Sequence, residues 1–185
     1  MPAADPGGRT ATESRALLDT ILLAAQAFSL AFMAGWLTIG AMENLLHPFL
    51  NETYTAEVMD MARMREDYPE AYHFVAYRRV TSPGLRRALF RCIVVWEFAA
   101  TFALWIGVGG LGLAAAGSLA PDVAVAIALV ATMMFIATWC GFLIAGNWFC
   151  YWFGHEGGQN THFQMTLWGM LNAVLLVAGA ASLGV

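Results

Sequence analysis

The sequence predicts an all-α polytopic membrane protein: a bundle of four transmembrane helices, with an interfacial amphipathic segment in the first loop. Three observations predict it. Hydrophobic residues make up 59% of the chain and charged residues 12%, about half the charged share of a soluble domain, so lipid is the expected solvent. Four apolar runs, about 21–42, 92–116, 123–145 and 165–185, each reach the roughly 20 residues that a helix needs to cross a bilayer. Small residues recur every four positions within them: Ala27, Ala31 and Gly35; Ala99, Ala103 and Gly107; Ala137, Gly141 and Ala145; with the shorter pairs Gly169–Ala173 and Ala180–Gly184. That spacing lets helix backbones approach closely, on which association in lipid depends.

In chain order, residues 1–16 are polar with Pro and Gly and are expected to be a mobile N-terminus. Residues 17–185 form a single transmembrane domain. The first apolar run is too long for the h-region of a signal peptide, about 7–15 residues, and is expected to stay as a span. The loop at about 43–88 is the only sizeable extramembrane part. Within it, 55–68 places Val58, Met61, Met64 and Tyr68 at helical spacing, with Glu57, Asp60, Arg63 and Glu66 elsewhere. An amphipathic helix lying on the membrane is expected, ended or restarted by Pro69. Tyr72, Phe74, Val75 and Tyr77 continue an interfacial segment. In "TSPGLRR" Ser82 suits a helix cap and Pro83 the first helical position, so the second helix starts outside the lipid. Pro121 marks a tight second loop.

The third loop reads "NWFCYWFGHEGGQNTHF". Trp148, Phe149 and Trp152, with Tyr151 and Phe153, are expected to anchor a helix end at headgroup level. Gly154, Gly157 and Gly158 would reverse the chain, and Gln159, Asn160 and Thr161 would cap the fourth helix. Four spans put loops one and three on one side and both termini on the other. Seven arginines in or beside loop one, against Arg9 and Arg15 near the N-terminus, place loops one and three in the cytoplasm by the positive-inside rule. The setting expected is a bacterial inner membrane. The net charge of −4 and the lack of a basic patch exclude a nucleic-acid partner. Cys92, Cys140 and Cys150 form no C-x-x-C pair, so neither a disulfide framework nor a zinc knuckle is indicated.

Glu97, in "CIVVWEFAATF", is the strongest single signal. It lies six residues past Arg91, about 9 Å deeper at 1.5 Å per residue. A carboxyl there must be protonated, hydrogen-bonded or in contact with an internal water cavity. Asn172 on the fourth span and Thr38 on the first are the expected partners at similar depth. The bland alternative is a polar clamp between helices; the sharper one is a proton-linked or ligand site, with Trp96 and Trp168 among the tryptophans lining a pocket. The histidines all fall in loops one and three, so His47, His155 and His162 share one face and are weighed as a metal site. No H-x-x-x-H spacing supports it.

"VTSPGLRRALFRCIVVWEFAATFALWIGVGGL" resembles the second span of the predicted small integral membrane proteins called domain-of-unknown-function 2165, in which an "ITSP-L" start leads to a helix with a Trp-Glu or similar pair. "GNWFCYWFGHEGGQNTHFQ" resembles that family's third-loop pattern, "G-E-W-F-x-M-W" then "N-G-Q" and an aromatic, matched here by Gly146, Trp148, Phe149, Trp152, Gly158, Gln159 and Phe163. Asn147 stands where the pattern has an acid, and the histidines are not part of it. The resemblance implies a four-span bacterial inner-membrane protein without an established activity. No nucleophile elbow, P-loop or catalytic carboxylate pair is present, so the chain leans away from an enzyme, and no cofactor is implied. The leading expectation is a non-catalytic accessory or interaction subunit, with the bilayer and a membrane-protein partner or a homo-oligomer as its contacts. The alternative is a quinone- or lipid-binding, redox-associated protein using a pocket around Glu97. A further alternative is a transporter or channel component, which would have to oligomerise.

Overall fold

Prolines open α2, α4, α5 and α6, where a missing N–H costs nothing and the fixed φ suits the first turn. The computed structural model describes residues 6–185, with side-chain surroundings from Thr12 onward. Seven α-helices are seen among these residues, with no strand: α1 (Pro6–Leu46), α2 (Pro48–Met59), α3 (Ala62–Asp67), α4 (Pro69–Val75), α5 (Pro83–Ala115), α6 (Pro121–Trp148) and α7 (Glu156–Leu183), with a 3-10 turn at Ala76–Arg78. α1, α5, α6 and α7 are each long and apolar enough to cross a membrane. They pack antiparallel in a ring, α1 to α5 to α6 to α7 and back to α1. The all-α four-span class is therefore observed.

All four helices outrun the apolar runs that announced them. α1 starts at Pro6, inside the stretch expected to be a mobile N-terminus; residues 1–5 of that stretch lie outside the described residues. At its other end α1 continues through Glu43 and Asn44 to Leu46, past the end of the apolar run near residue 42. α5 begins at Pro83, with Ser82 Oγ accepting from Leu85 N at 3.3 Å. The core is dry: Leu30, Met33 and Leu37 of α1 meet Leu104 and Leu111 of α5, Phe135 of α6 and Leu176 of α7, all essentially inaccessible. The outer surface is apolar too, with Phe28, Ile39, Phe102, Met133, Ile144 and Leu171 exposed, as a bundle facing hydrocarbon requires.

The small residues divide between the two surfaces. A Cβ at Gly107 would stand 2.8 Å from Leu30 Cδ2 and 3.2 Å from Ala128 Cα, so α5 touches α1 and α6 there only because no side chain intervenes. Gly169 is in similar contact with Ile136 and Phe135. By contrast Ala137, Gly141 and Ala145 of α6 are exposed, and nothing lies within 4 Å of a Cβ built on Gly141.

The long first loop caps one end of the bundle. The single helix expected over 55–68 is two helices, and the first starts earlier, at Pro48. The break is at Met61, which is in the left-handed region at φ 52°. Periodicity cannot reveal such a break, because Met59, Met61 and Met64 are all buried on either side of it. Asp60 fixes the cap. Its carboxylate accepts from Arg65 at 3.1 Å and forms ion pairs with Arg79 at 3.3 Å and Arg86 at 2.9 Å, tying the end of α2 to α3, the 3-10 turn and the start of α5. Val80 N donates to Met59 O at 2.8 Å and closes the same junction.

The two glycine environments give a paired test. Gly107→Leu overpacks the three-helix contact and is expected to cost about 1–3 kcal/mol, seen as a lower melting temperature in mild detergent. Gly141→Leu meets open space and leaves the purified monomer's melting temperature unchanged. Equal effects at the two positions would contradict the assignment of inner and outer faces.

Candidate functional site

Glu97 is carried inward by α5 and is 5% exposed. Its Oε2 accepts from Asn44 Nδ2 of α1 at 2.7 Å, and Asn44 Oδ1 accepts from Asn51 Nδ2 of α2 at 2.6 Å. The three side chains form one relay from the cap into the bundle, every donor facing Glu97. The relay borders a cavity of about 280 Å³ at the capped end. α1 gives it Gly40 and Asn44; α2 gives Asn51, Tyr54, Thr55, Val58 and Met59; α5 gives Phe90, Ile93 and Glu97. The rest comes from Trp139, Phe142, Ala145 and Gly146 of α6, Phe149 and Tyr151 of the third loop, and His162 of α7. Neither a lysine nor an arginine lines it.

Several polar atoms of this wall lack a partner. Trp139 Nε1, Tyr151 Oη and His162 Nδ1 are buried and make no hydrogen bond. Buried polar atoms are nearly always paired, with protein or with water; others without a partner, such as Gln26 Oε1 and Thr101 Oγ1, lie elsewhere in the bundle, but three belong to residues around this one cavity. Packing holds each ring. His162 lies 4.9 Å from Phe142, 5.7 Å from Trp139 and 6.1 Å from Tyr151, centroid to centroid. Tyr151 is 3% exposed, its ring lies where a Cβ on Gly146 would come within 2.6 Å, and its N–H donates to Gly146 O at 3.0 Å. Burial, and then the neighbouring Tyr54, push the Tyr151 phenol up to about 12, so it remains an O–H donor at neutral pH. Beside the cavity His155 is buried, edge-on to Tyr54 at 4.9 Å, with Nε2 unpartnered.

The expected site residues do not all gather here. Glu97 has Asn44 as its partner in place of Asn172 or Thr38. Asn172 lies deeper, donating to Thr132 Oγ1 at 2.9 Å and accepting from Ser29 Oγ at 2.8 Å. Thr38 bonds Ala34 O at 2.6 Å and accepts from Trp105 Nε1 at 3.0 Å. The depth estimate failed because α1 stays helical beyond its apolar run, which brings Asn44 level with Glu97. Trp96 points outward, 41% exposed, its Nε1 donating to Thr138 Oγ1 at 2.9 Å. Trp168 packs on Phe135 and Trp36, outside the cavity lining. Asn44, Asn51 and Tyr54, not singled out as site residues in the sequence, join the wall, and Tyr151, expected as an interfacial anchor, turns into it. Asn44 carried a usable signal, as an amide at the end of the first span, on the side from which the second span, with Glu97, begins.

The histidines do not form a ligand set. His47 is exposed between α1 and α2, His155 faces Tyr54 and His162 lies in the aromatic wall; among the described residues no group of three His, Cys, Asp or Glu side chains is placed to hold a metal. The aromatic stretch splits by face. Trp148 is half exposed beneath the Arg78 guanidinium, 5.1 Å from its centroid. Phe149 and Tyr151 enter the cavity wall, and Trp152 packs on the Met61–Met64–Cys150 cluster. Only Gly154 of the three turn glycines has a positive φ, 92°. Gly158 is helical, against the Tyr54 hydroxyl, and Gln159 to Thr161 lie inside α7, which begins at Glu156, so they are not its caps.

His155 yields a pH test. Desolvation, outweighing Glu57 and Glu156 and aided by Arg63, holds its imidazole below the usual value near 6.5. The unfolded chain therefore takes up this proton first, and the fold loses stability as pH falls below about 6.5. Melting temperatures between pH 7.5 and 5 are expected to fall more steeply for the wild type than for His155→Gln. Parallel slopes would refute the assignment.

The family model described as predicted small integral membrane protein, DUF2165, matches residues 22–178, a range containing every cavity-lining residue. No curated protein and no solved structure matches the chain.

Proposed function

The chain belongs to the DUF2165 family of predicted small integral membrane proteins, and we propose that it is a ligand-binding member whose site is the Glu97 cavity, taking the head group of a quinone- or lipid-type molecule that partitions into the bilayer. One observation carries this: the capped end of the bundle brings a buried carboxyl, its two-amide relay and three wall residues with unpartnered buried polar atoms around one cavity. No pair of catalytic carboxylates or nucleophile with an adjacent base stands in the cavity lining, which favours binding over turnover.

A second reading, an accessory subunit docking on another membrane protein or on a second copy, is favoured by the exposed Ala137–Gly141–Ala145 face of α6. Such a face suits close helix approach. Both readings carry an inner-membrane setting with the cap in the cytoplasm, supported by the arginines that crowd the cap end.

Extraction in mild detergent followed by mass spectrometry of lipids, small molecules and proteins distinguishes them. On the ligand reading a small molecule copurifies near stoichiometry and is depleted from Glu97→Gln, which keeps the carbonyl acceptor for Asn44 but removes the acid. On the subunit reading a protein copurifies and is lost from Gly141→Leu. Wild-type protein free of any retained small molecule would remove the support for the first.

A further inference from the structure

The wall chemistry of the cavity narrows its occupant, an inference that rests on the cavity being a binding site. We propose that the occupant is a quinone-type head group: an uncharged, flat ring with oxygens at opposite ends, seated between Glu97 on one side and Trp139, Tyr151 and His162 on the other.

Charge comes first. With no arginine or lysine in the lining, a phosphate or carboxylate head group would enter beside Glu97 without a counter-ion, and an unpaired charge is costly to bury. A cationic amine answers Glu97 but nothing else. Indole N–H is only ever a donor, and Trp139 Nε1 lacks an acceptor, which an ammonium cannot supply. Tyr151 Oη offers a second unused donor. The wall therefore calls for an acceptor oxygen at the α6–α7 side.

The opposite side calls for a polar end as well. Asn44 occupies one oxygen of Glu97, which leaves the other for a ligand. α5 and α7 are not neighbours in the ring, so Glu97 and His162 approach the cavity across the bundle. A quinone ring meets both demands when Glu97 is protonated, with one oxygen accepting from Trp139 and Tyr151 and the other from the Glu97 O–H. The rings of Phe142, Phe149 and Tyr54 supply flat apolar contact. The volume of about 280 Å³ sits just below the range for drug-sized ligands, which suits a substituted ring whose tail stays in the bilayer. Ala145, in the lining and exposed on α6, gives that tail a way out.

The test uses the full-length protein in mild detergent with a short-chain benzoquinone, read by quenching of tryptophan fluorescence. Saturable binding is expected. Tyr151→Phe, which removes one unpartnered hydroxyl, is expected to weaken it roughly tenfold. Gly40→Leu fills the cavity from a position where nothing lies within 4 Å of an added Cβ; it is expected to abolish binding while the melting temperature holds or rises. Quenching that does not saturate, or that Gly40→Leu leaves intact, reports partition into the micelle and overturns the proposal. A lysophospholipid or an alkylammonium probe is tested in parallel. If one of these binds and is blocked by Gly40→Leu while the benzoquinone is not bound, the quinone class is overturned and the cavity survives as a binding site. If no probe binds in a Gly40-dependent way and no small molecule copurifies, the binding site itself is overturned.

Discussion

A carboxyl group set inside an apolar helix has to be met by hydrogen bonds or water, because hydrocarbon offers neither. Glu97 is met by Asn44, and much of the capped end follows from that contact. It fixes the register of α1 against α5. It requires α1 to remain helical past the end of its apolar run, so that an amide reaches the depth of the acid. It also engages α2, since Asn51 must fold back seven residues along the chain to hold Asn44. Asp60 then fastens the far end of α2 to α5 through Arg86. The cap is thus held at both ends of α2, by a buried amide relay at one and an ion cluster at the other.

Two polar layers in the bundle show what distinguishes a clamp from a site. In the deeper layer Ser29 donates to Asn172 and Asn172 to Thr132. That chain ties α1, α7 and α6 together and has no cavity beside it. In the upper layer the relay ends on Glu97 at the edge of an open volume, and three residues of the wall around it carry buried polar atoms without a partner. Both layers use the same residue chemistry. Satisfied polar networks rigidify a core, and incompletely satisfied ones are costly unless something fills them. Gln26 Oε1 and Thr101 Oγ1 show that unpaired atoms also occur in the deeper bundle, so it is the cavity beside Glu97 that separates the two layers.

Much of this was legible in the sequence, for physical reasons that also mark where legibility stops. Hydropathy over 20 residues reports lipid-crossing helices directly, and Ser82–Pro83 announced the start of α5 through cap chemistry that acts locally. Glu97 stood out because a lone acid in an apolar run needs an explanation whatever the fold. Its partner did not, because hydropathy ended the first span near residue 42 while the helix carries on to Leu46. Asn51 and Tyr54 were hidden in a loop whose helix starts with Pro48 and breaks at Met61, neither of which periodicity could locate. The aromatic stretch looked uniform in composition, yet its members separate once the chain turns: Trp148 outward under Arg78, Tyr151 inward onto Gly146.

That turn bears on how the cavity is kept in shape. Among the described residues only Met61 and Cys150 combine a side chain with a positive φ, at 52° and 55°. Such a conformation costs a non-glycine residue about 1–2 kcal/mol. Both are buried, and they belong to one cluster with Met64, under Phe149, Trp152 and Phe153. The two strained points of the chain therefore pack together, one from each loop of the capped end. Strain of this kind persists only where surrounding contacts over-determine it, and here the contacts are those joining the loops. Met61 turns α2 so that Asn51 and Tyr54 face the bundle end; Cys150 turns the third loop so that Phe149 and Tyr151 do. A relaxed backbone at either point would re-aim one wall of the cavity, so the packing that holds the strain also pre-organises the site before any ligand arrives.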